Sequence, residues 1–326
     1  MRRHIHKYYT GINSSMNIDK KLNEMEPKDT PLLVLGYIIL GMFLLIPLSA
    51  NADTDNQVFI GQAGDDVIIE ANQEGYDNKI DLDLGIIKSD SSNNIFRSLQ
   101  DGFDNEIKFS LDGQSNELAI LQEGNNQYIG FSSVWGEGHD QGGDIDGDSN
   151  TLKLWQKCSW VSCNENKIEF HIEGDNNDVE IGQGWFLDKN STSGNTSWSY
   201  DGTEPGGNLV RVDIHGDNND FKAGQKQDSA SINHNMYVNI FGDDNEVYAG
   251  QLQNGNKTLN LNIYNDNNDV WIKQRKNGAH RATINLYGTY GTDLYLNQSN
   301  NSVGQTYSLT QTCATIGGCS ISVTQD

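Results

Sequence analysis

The sequence is short of basic residues, of apolar residues and of proline. Lys and Arg number 22 against 45 Asp and Glu, a formal net charge of −23. So negative a chain has no basic face for phosphates, which argues against a nucleic-acid partner. Hydrophobic residues are 35%, below the roughly 45–50% usual for a globular chain counted with glycine. That leaves either disorder or an ordered repeat, and periodicity must separate them. Of 4 prolines, only Pro205 lies beyond residue 52, in a chain with 34 Gly. The motifs G-x-S-x-G, H-E-x-x-H and the P-loop are missing, and with them the common signatures of catalysis. The 7 His are scattered, with His234 and His280 at strand starts in a position otherwise held by Asn. Polysaccharide lyases of the parallel β-helix type are the enzymatic rival, but their three-strand coils are wider than the repeat found below. The chain reads as a non-enzyme.

Long apolar runs are also missing, with one exception. Residues 31–50 are apolar and uncharged, are broken by Pro47, and end in Ala50-Asn51-Ala52. This is the pattern of a signal peptide over residues 1–52, leaving residues 53–326 as an exported protein, secreted to the extracellular space or outer cell surface. An uncleaved anchor is the alternative, since the run is about long enough to span a bilayer. Met1, Met16 and Met25 are each candidate starts. Cysteine is limited to Cys158, Cys163, Cys313 and Cys319. An even count in an exported chain suggests disulfides, and the close spacing suggests the pairs 158–163 and 313–319. Zinc is a poor rival, with no histidine near either pair.

What is present is a repeat. Asn, apolar residues at +2 and +4, and Gln at +6 recur in seven segments. They run from Asn94 to Gln100, Asn116 to Gln122, Asn150 to Gln156, Asn177 to Gln183, Asn219 to Gln225, Asn245 to Gln251, and Asn268 to Gln274. Two more, ending in Gln73 and Gln298, keep the Gln and replace the Asn. Between these Gln strands lie apolar strands, such as Ile168-x-Phe170-x-Ile172 and Val210-x-Val212-x-Ile214. Alternation at period two means β-strand. The start-to-start step is often 11 residues, and the connectors repeat as Gly-Asp-Asn-Asn at 174–177 and 216–219. Gly and Asn supply the positive φ of tight turns.

Two half-coils of 11 make a coil of about 22 residues that cannot bury its apolar face alone; stacking identical coils does so. The predicted fold is all-β, a β-solenoid with two short strands per coil and about ten coils. At about 4.8 Å per coil the rod is roughly 48 Å long. Asn at 0 and Gln at +6 fall on the inward face, where amides must be hydrogen-bonded. Stacked coil on coil, they form ladders. Stacked carboxylates would repel, which explains Gln rather than Glu.

In the frame Asn-x5-Gln-x-Gly-x-x-Asn, seen from Asn94 through Gln100 and Gly102 to Asn105 and again from Asn116 through Gln122 and Gly124, the chain resembles the curlin family, the subunits of bacterial curli fibres. The resemblance covers most of residues 56–325. It implies an amyloid-like surface fibre subunit of biofilm matrix, with the Asn and Gln at strand ends as stacking residues. Its implied partners are other copies or other curlin-like subunits. The chain departs from that family in being about twice as long and in its two cysteine pairs. One half of each coil also mostly ends in Ile or Leu instead of Gln, and no unstructured secretion segment precedes the first strand.

Insertions are expected at 85–93, 134–149 and 184–207. Asp144, Asp146 and Asp148 alternate as oxygen ligands do in calcium loops, which makes calcium the candidate ion; a solvated polar loop is the simpler reading, and no other cofactor is indicated. Trp135, Trp155, Trp160, Trp185 and Trp198 lie in or beside the insertions, where they could stack on surface glycans or cover the core. The alternative to a fibre is therefore a monomeric secreted adhesin or glycan-binding module. Lys222 is expected on the exposed face. The C-terminal cysteine loop is a candidate cap, yet no helix covers the last strand, and open β-edges favour end-to-end assembly.

Overall fold

The computed structural model describes residues 56–62, 68–84, 93–130, 143–158, 166–184, 186–189, 196–199, 206–228 and 233–326. The proposed signal peptide and most of the 85–93 insertion lie outside them, as do Trp135, Trp160, Trp185 and Cys163. Among the described residues there is no helix. The chain is a β-solenoid of two parallel sheets.

The first sheet holds the Gln strands: β2 (Ile68–Tyr76), β4 (Ile95–Phe103), β6 (Glu117–Glu123), β9 (Thr151–Lys157), β11 (Asp178–Gln183), β15 (Asp220–Lys226), β17 (Glu246–Leu252), β18 (Asp269–Arg275), β20 (Thr292–Ser299) and β22 (Cys319–Gln325). The second holds the apolar strands: β1 (Gln57–Gln62), β3 (Lys79–Leu84), β5 (Glu106–Asp112), β7 (Tyr128–Gly130), β8 (Gly143–Asp146), β10 (Lys167–Glu173), β14 (Leu209–His215) and β16 (Asn235–Tyr237). β19 (Arg281–Ile284) and β21 (Thr306–Leu309) pair as a separate parallel ladder. The chain alternates between the two faces, so each strand pairs with the strand one coil on and residues of like position stand in register.

That register builds the core. Val179, Phe221, Val247 and Val270 line one inner wall, and Ile168, Val210, Met236 and Leu259 the other; all are buried. Each coil's apolar positions cover those of the next, which is how 22-residue units too small to fold alone acquire a continuous interior. The turns hold the coils at strand spacing. Gly216 has φ +136°, and a Cβ there would lie 2.3 Å from the carbonyl oxygen of Gly242 in the next coil. Only glycine allows that approach.

One insertion differs from expectation in extent, and another carries structure of its own. The 134–149 insertion is shorter, because β8 and the turn after it rejoin the solenoid. β7 and β8 together occupy one row, pairing with opposite ends of β10. The extra chain thus interrupts a strand instead of a turn. The 184–207 insertion contains an antiparallel hairpin, β12 (Phe186–Lys189) and β13 (Thr196–Ser199). β12 lies against β15 and β17. There the outward positions Gly182, Gly224 and Gly250 are in register and carry no side chain to obstruct it. Lys222, expected to be exposed, keeps only 12% of its side chain accessible and pairs with Asp220 at 2.8 Å; it stands in register between Glu180 and Tyr248, neighbours that sequence periodicity does not supply. Residues 261–264 have positive φ, so the second sheet continues past β16 through single bridges at Thr258. Leu259, Leu261 and Ile263 are nonetheless buried.

Candidate functional site: amide ladders and solenoid ends

The Gln at the end of each Gln strand points inward and stacks on the next. Gln73, Gln100, Gln122, Gln156, Gln183, Gln225, Gln251, Gln274, Gln298 and Gln325 form one file in which every Nε2 donates to the Oε1 of the next member, at 2.8–3.1 Å. The same nitrogens reach across the interior to backbone oxygens of the second sheet, as Gln225 does to Leu209 O at 3.0 Å. A carboxylate has no proton to donate in either direction. The buried members of the file are therefore held to amide chemistry.

The Asn file opens each Gln strand. Asn94 Oδ1 accepts the N–H of Asn116, and the pattern repeats through Asn150, Asn177, Asn219, Asn245 and Asn268 to the N–H of Thr292, at 2.8–3.1 Å. Nδ2 of Asn94, Asn116, Asn150 and Asn177 donates to the carbonyl of the glycine opening the next coil's turn. Each Asn thus binds strand start and turn of adjacent coils together.

A third file runs along the opposite inner edge, where the sequence shows only His234 and His280 in a position otherwise held by Asn. Asn56, Asn78, Asn105 and Gln127 are linked by Oδ1-to-N–H bonds, as are Asn166, Asn208 and His234. Beyond them stand Lys257 and His280, then Gln305. His234, Lys257 and His280 are fully buried. The Lys257 ammonium sits against the carbonyls of Gln253, Asn254 and Gly255 at 3.3, 2.6 and 3.2 Å. Burial lowers its pKa to about 7, opposed by Asp228. Burial and the nearby Lys257 lower His234 to about 3.

The turn aspartates have a comparable structural use. Asp148 Oδ1 accepts the N–H of Gln114, and Asp175, Asp217, Asp243 and Asp266 each accept from the preceding coil's turn, at 2.7–2.9 Å. Asp144 and Asp146, expected with Asp148 in a candidate calcium loop, lie on strand β8, in register with His171 and Glu173, and Asp148 lies in the turn that follows. Of the tryptophans, Trp155 is buried, which removes it from any glycan surface. Cys313 and Cys319 form a disulfide closing the last turn. Cys158 is disulfide-bonded as well, and no described cysteine is free.

The two ends of the solenoid differ chemically. At one end Gln73 Oε1 begins the glutamine file. At the other, Gln325 Nε2 donates to Thr306 O at 3.3 Å and keeps a second proton. Around it Tyr307, Leu309, Ile321 and Val323 pack on the core yet stay half-exposed. No described strand pairs with the outer edge of β22. Searches against protein-family models, curated proteins and solved structures return no match. The fold and these files define the chain's class: a β-solenoid built on stacked amides.

Proposed function

We infer that this chain is a structural subunit of a secreted, curlin-like surface fibre, and that copies add end to end. The observation that carries this reading is the polarity of the glutamine file. It starts with an acceptor and finishes with a donor, and the finishing coil leaves an apolar surface and a strand edge uncovered. The start of a second copy offers what that end lacks: an amide oxygen, an apolar coil and a strand edge in parallel sense. Such contacts are head to tail, so they extend without closing. An edge of this kind templates pairing unless it is protected.

Electron microscopy and fibre diffraction of residues 53–326 at micromolar concentration test the proposal. Unbranched fibres with a repeat of about 4.8 Å along the axis support it. Val323→Lys, which sets a charge on the half-exposed terminal coil and loses some packing on the core, should abolish elongation while the monomer still folds with a somewhat lowered melting temperature. Discrete rods that never elongate would refute end-to-end addition.

A further inference from the structure

On the outer face of the second sheet three side chains converge without serving the core. His171 projects from β10; Asp213 and His215 project from β14, one coil on. His171 and Asp213 are each 6% exposed. One imidazole nitrogen from each histidine and one carboxylate oxygen lie within 4.8 Å of one another. Asp213 Oδ1 is 2.9 Å from His215 Nε2, and Glu173 Oε2 is 2.7 Å from His215 Nδ1. The two imidazole rings stand edge to face, 5.0 Å apart.

The rows that hold these residues show what is unusual about them. Beyond Asp213 its row continues as Asn239, Asn262 and Asn285, each outer amide donating to the one before at 2.8 Å, with Asn239 Nδ2 donating to Asp213 Oδ2 at 3.2 Å. That amide file satisfies itself. At Asp213 and His171 it gives way to two groups that cannot continue it and that both carry metal-binding lone pairs. The next row, His215, Phe241, Tyr264 and Tyr287, is a ring stack with spacings of 4.6–4.8 Å. The Phe241 ring, 4.7 Å from that of His215 and tilted 39° to it, limits the motion of the imidazole, and Asn239 holds the far oxygen of Asp213. Both ligands are thus oriented from behind, as metal ligands usually are.

We propose that His171, Asp213 and His215 bind a divalent transition-metal ion of the zinc type. Two imidazoles and a carboxylate suit such an ion, whereas calcium and magnesium prefer an all-oxygen shell. A tetrahedral ion with bonds of about 2.0–2.1 Å draws its ligand atoms to about 3.3 Å apart. With the three atoms already within 4.8 Å of one another, that asks for shifts of about 1.5 Å or less. Water completes the fourth position, while Glu173 holds His215 Nδ1 on the far side of the ring. The ion would clip β10 to β14, strands whose paired residues are 42 apart in sequence because the hairpin insertion lies between them. A clip there restrains the longest excursion between adjacent coils, where closure of the chain costs most entropy.

The test is isothermal titration of the full chain, free of any affinity tag, with zinc chloride, alongside thermal melts with and without a chelator. Expected is one high-affinity zinc per chain and a melting temperature that falls when the chelator is added. Asp213→Asn restores the amide row and so keeps the fold; it should weaken zinc binding at least tenfold and remove the chelator effect. His215→Gln should do the same. Cobalt in place of zinc should give the visible absorption of a tetrahedral site in the native chain alone. Absence of stoichiometric binding, or equal affinity in Asp213→Asn and His215→Gln, overturns the proposal.

Discussion

Replacing Gln225 by Glu tests the amide-ladder argument at its most demanding point. Gln225 is 0% exposed. Its Nε2 donates to Gln251 Oε1 at 2.8 Å and to Leu209 O at 3.0 Å, and its Oε1 accepts from Gln183 at 3.1 Å. An ionised Glu would set a carboxylate oxygen against two acceptors in a dry interior. Buried glutamates escape such positions by protonating, with pKa values of about 8–9 against about 4.3 in water. At pH 7 that costs about 4 kcal/mol, since the unfolded chain stays ionised. The protonated acid has one donor where the amide had two, so an orphaned acceptor adds about 1–3 kcal/mol. The total is about 5–7 kcal/mol at pH 7, a large part of the roughly 5–15 kcal/mol that holds a typical domain together. The sign with pH follows from a carboxyl raised in the folded state. Its penalty is absent below the unfolded pKa and grows as pH rises towards the folded one. At pH 4 only the lost hydrogen bond remains. Urea unfolding of native and variant chains at pH 4 and pH 7 measures this. The exposed Asp293→Asn serves as control and should stay within about 0.5 kcal/mol. A Gln225→Glu chain within about 1 kcal/mol of native at pH 7, or equally weakened at both pH values, would refute the inward ladder.

Lys257 gives a second pH signature. With a folded pKa of about 7 against 10.5, the unfolded chain holds more protons between those values, so stability should rise with pH over that window. Lys257→Gln, the residue type at Gln127 and Gln305 in the same file, should add about 1–4 kcal/mol at pH 7 and flatten the slope in urea titrations at several pH values. For His234, whose folded pKa is about 3, stability should fall as pH drops from 6.5 towards 3, and His234→Asn should blunt that fall. Glycines at turns should differ by position. Gly102→Ala places a Cβ 1.8 Å from Gly124 O at φ +136° and should cost more than about 3 kcal/mol in thermal melts, whereas Gly317→Ala, with φ +98° and nothing within 4 Å, should cost about 1–2. Reducing the Cys313–Cys319 disulfide opens a short loop, with a sequence separation of 6, and should lower stability by about 2 kcal/mol. Hydrogen exchange should place that loss in β21 and β22.

The inward half of this protein is legible because two signals coincide there: period-two apolar residues and amides at fixed ends. Together they place Gln225, Asn219 and Val247 without reference to any other part of the chain. The outward half is less legible, because its environment is set by segments far off in sequence. Lys222 reads as a surface lysine until the register of β11, β15 and β17 sets it between Glu180 and Tyr248. Residues 143–149 read as loop, since 12 intervening residues separate β8 from the half-strand it completes. The cluster of His171, Asp213 and His215 is invisible to spacing, because only the register of β10 on β14 brings positions 42 apart to one point.

The glutamine file and the outer Asn row follow one rule. An amide both donates and accepts, so a column of amides is satisfied whatever number of residues separates its members. That is why steps along the glutamine file vary from 22 to 42 residues while its hydrogen bonds stay within 2.8–3.1 Å. Insertions are tolerated wherever the column is preserved. The converse also holds. A column member that is not an amide breaks the self-satisfaction and must find a partner of another kind. His234 and Lys257 find backbone carbonyls and have lowered pKa values; His171 and Asp213 lie on the outer face, where an ion can reach them. The departures from the repeat, more than the repeat, therefore mark where this solenoid responds to its surroundings.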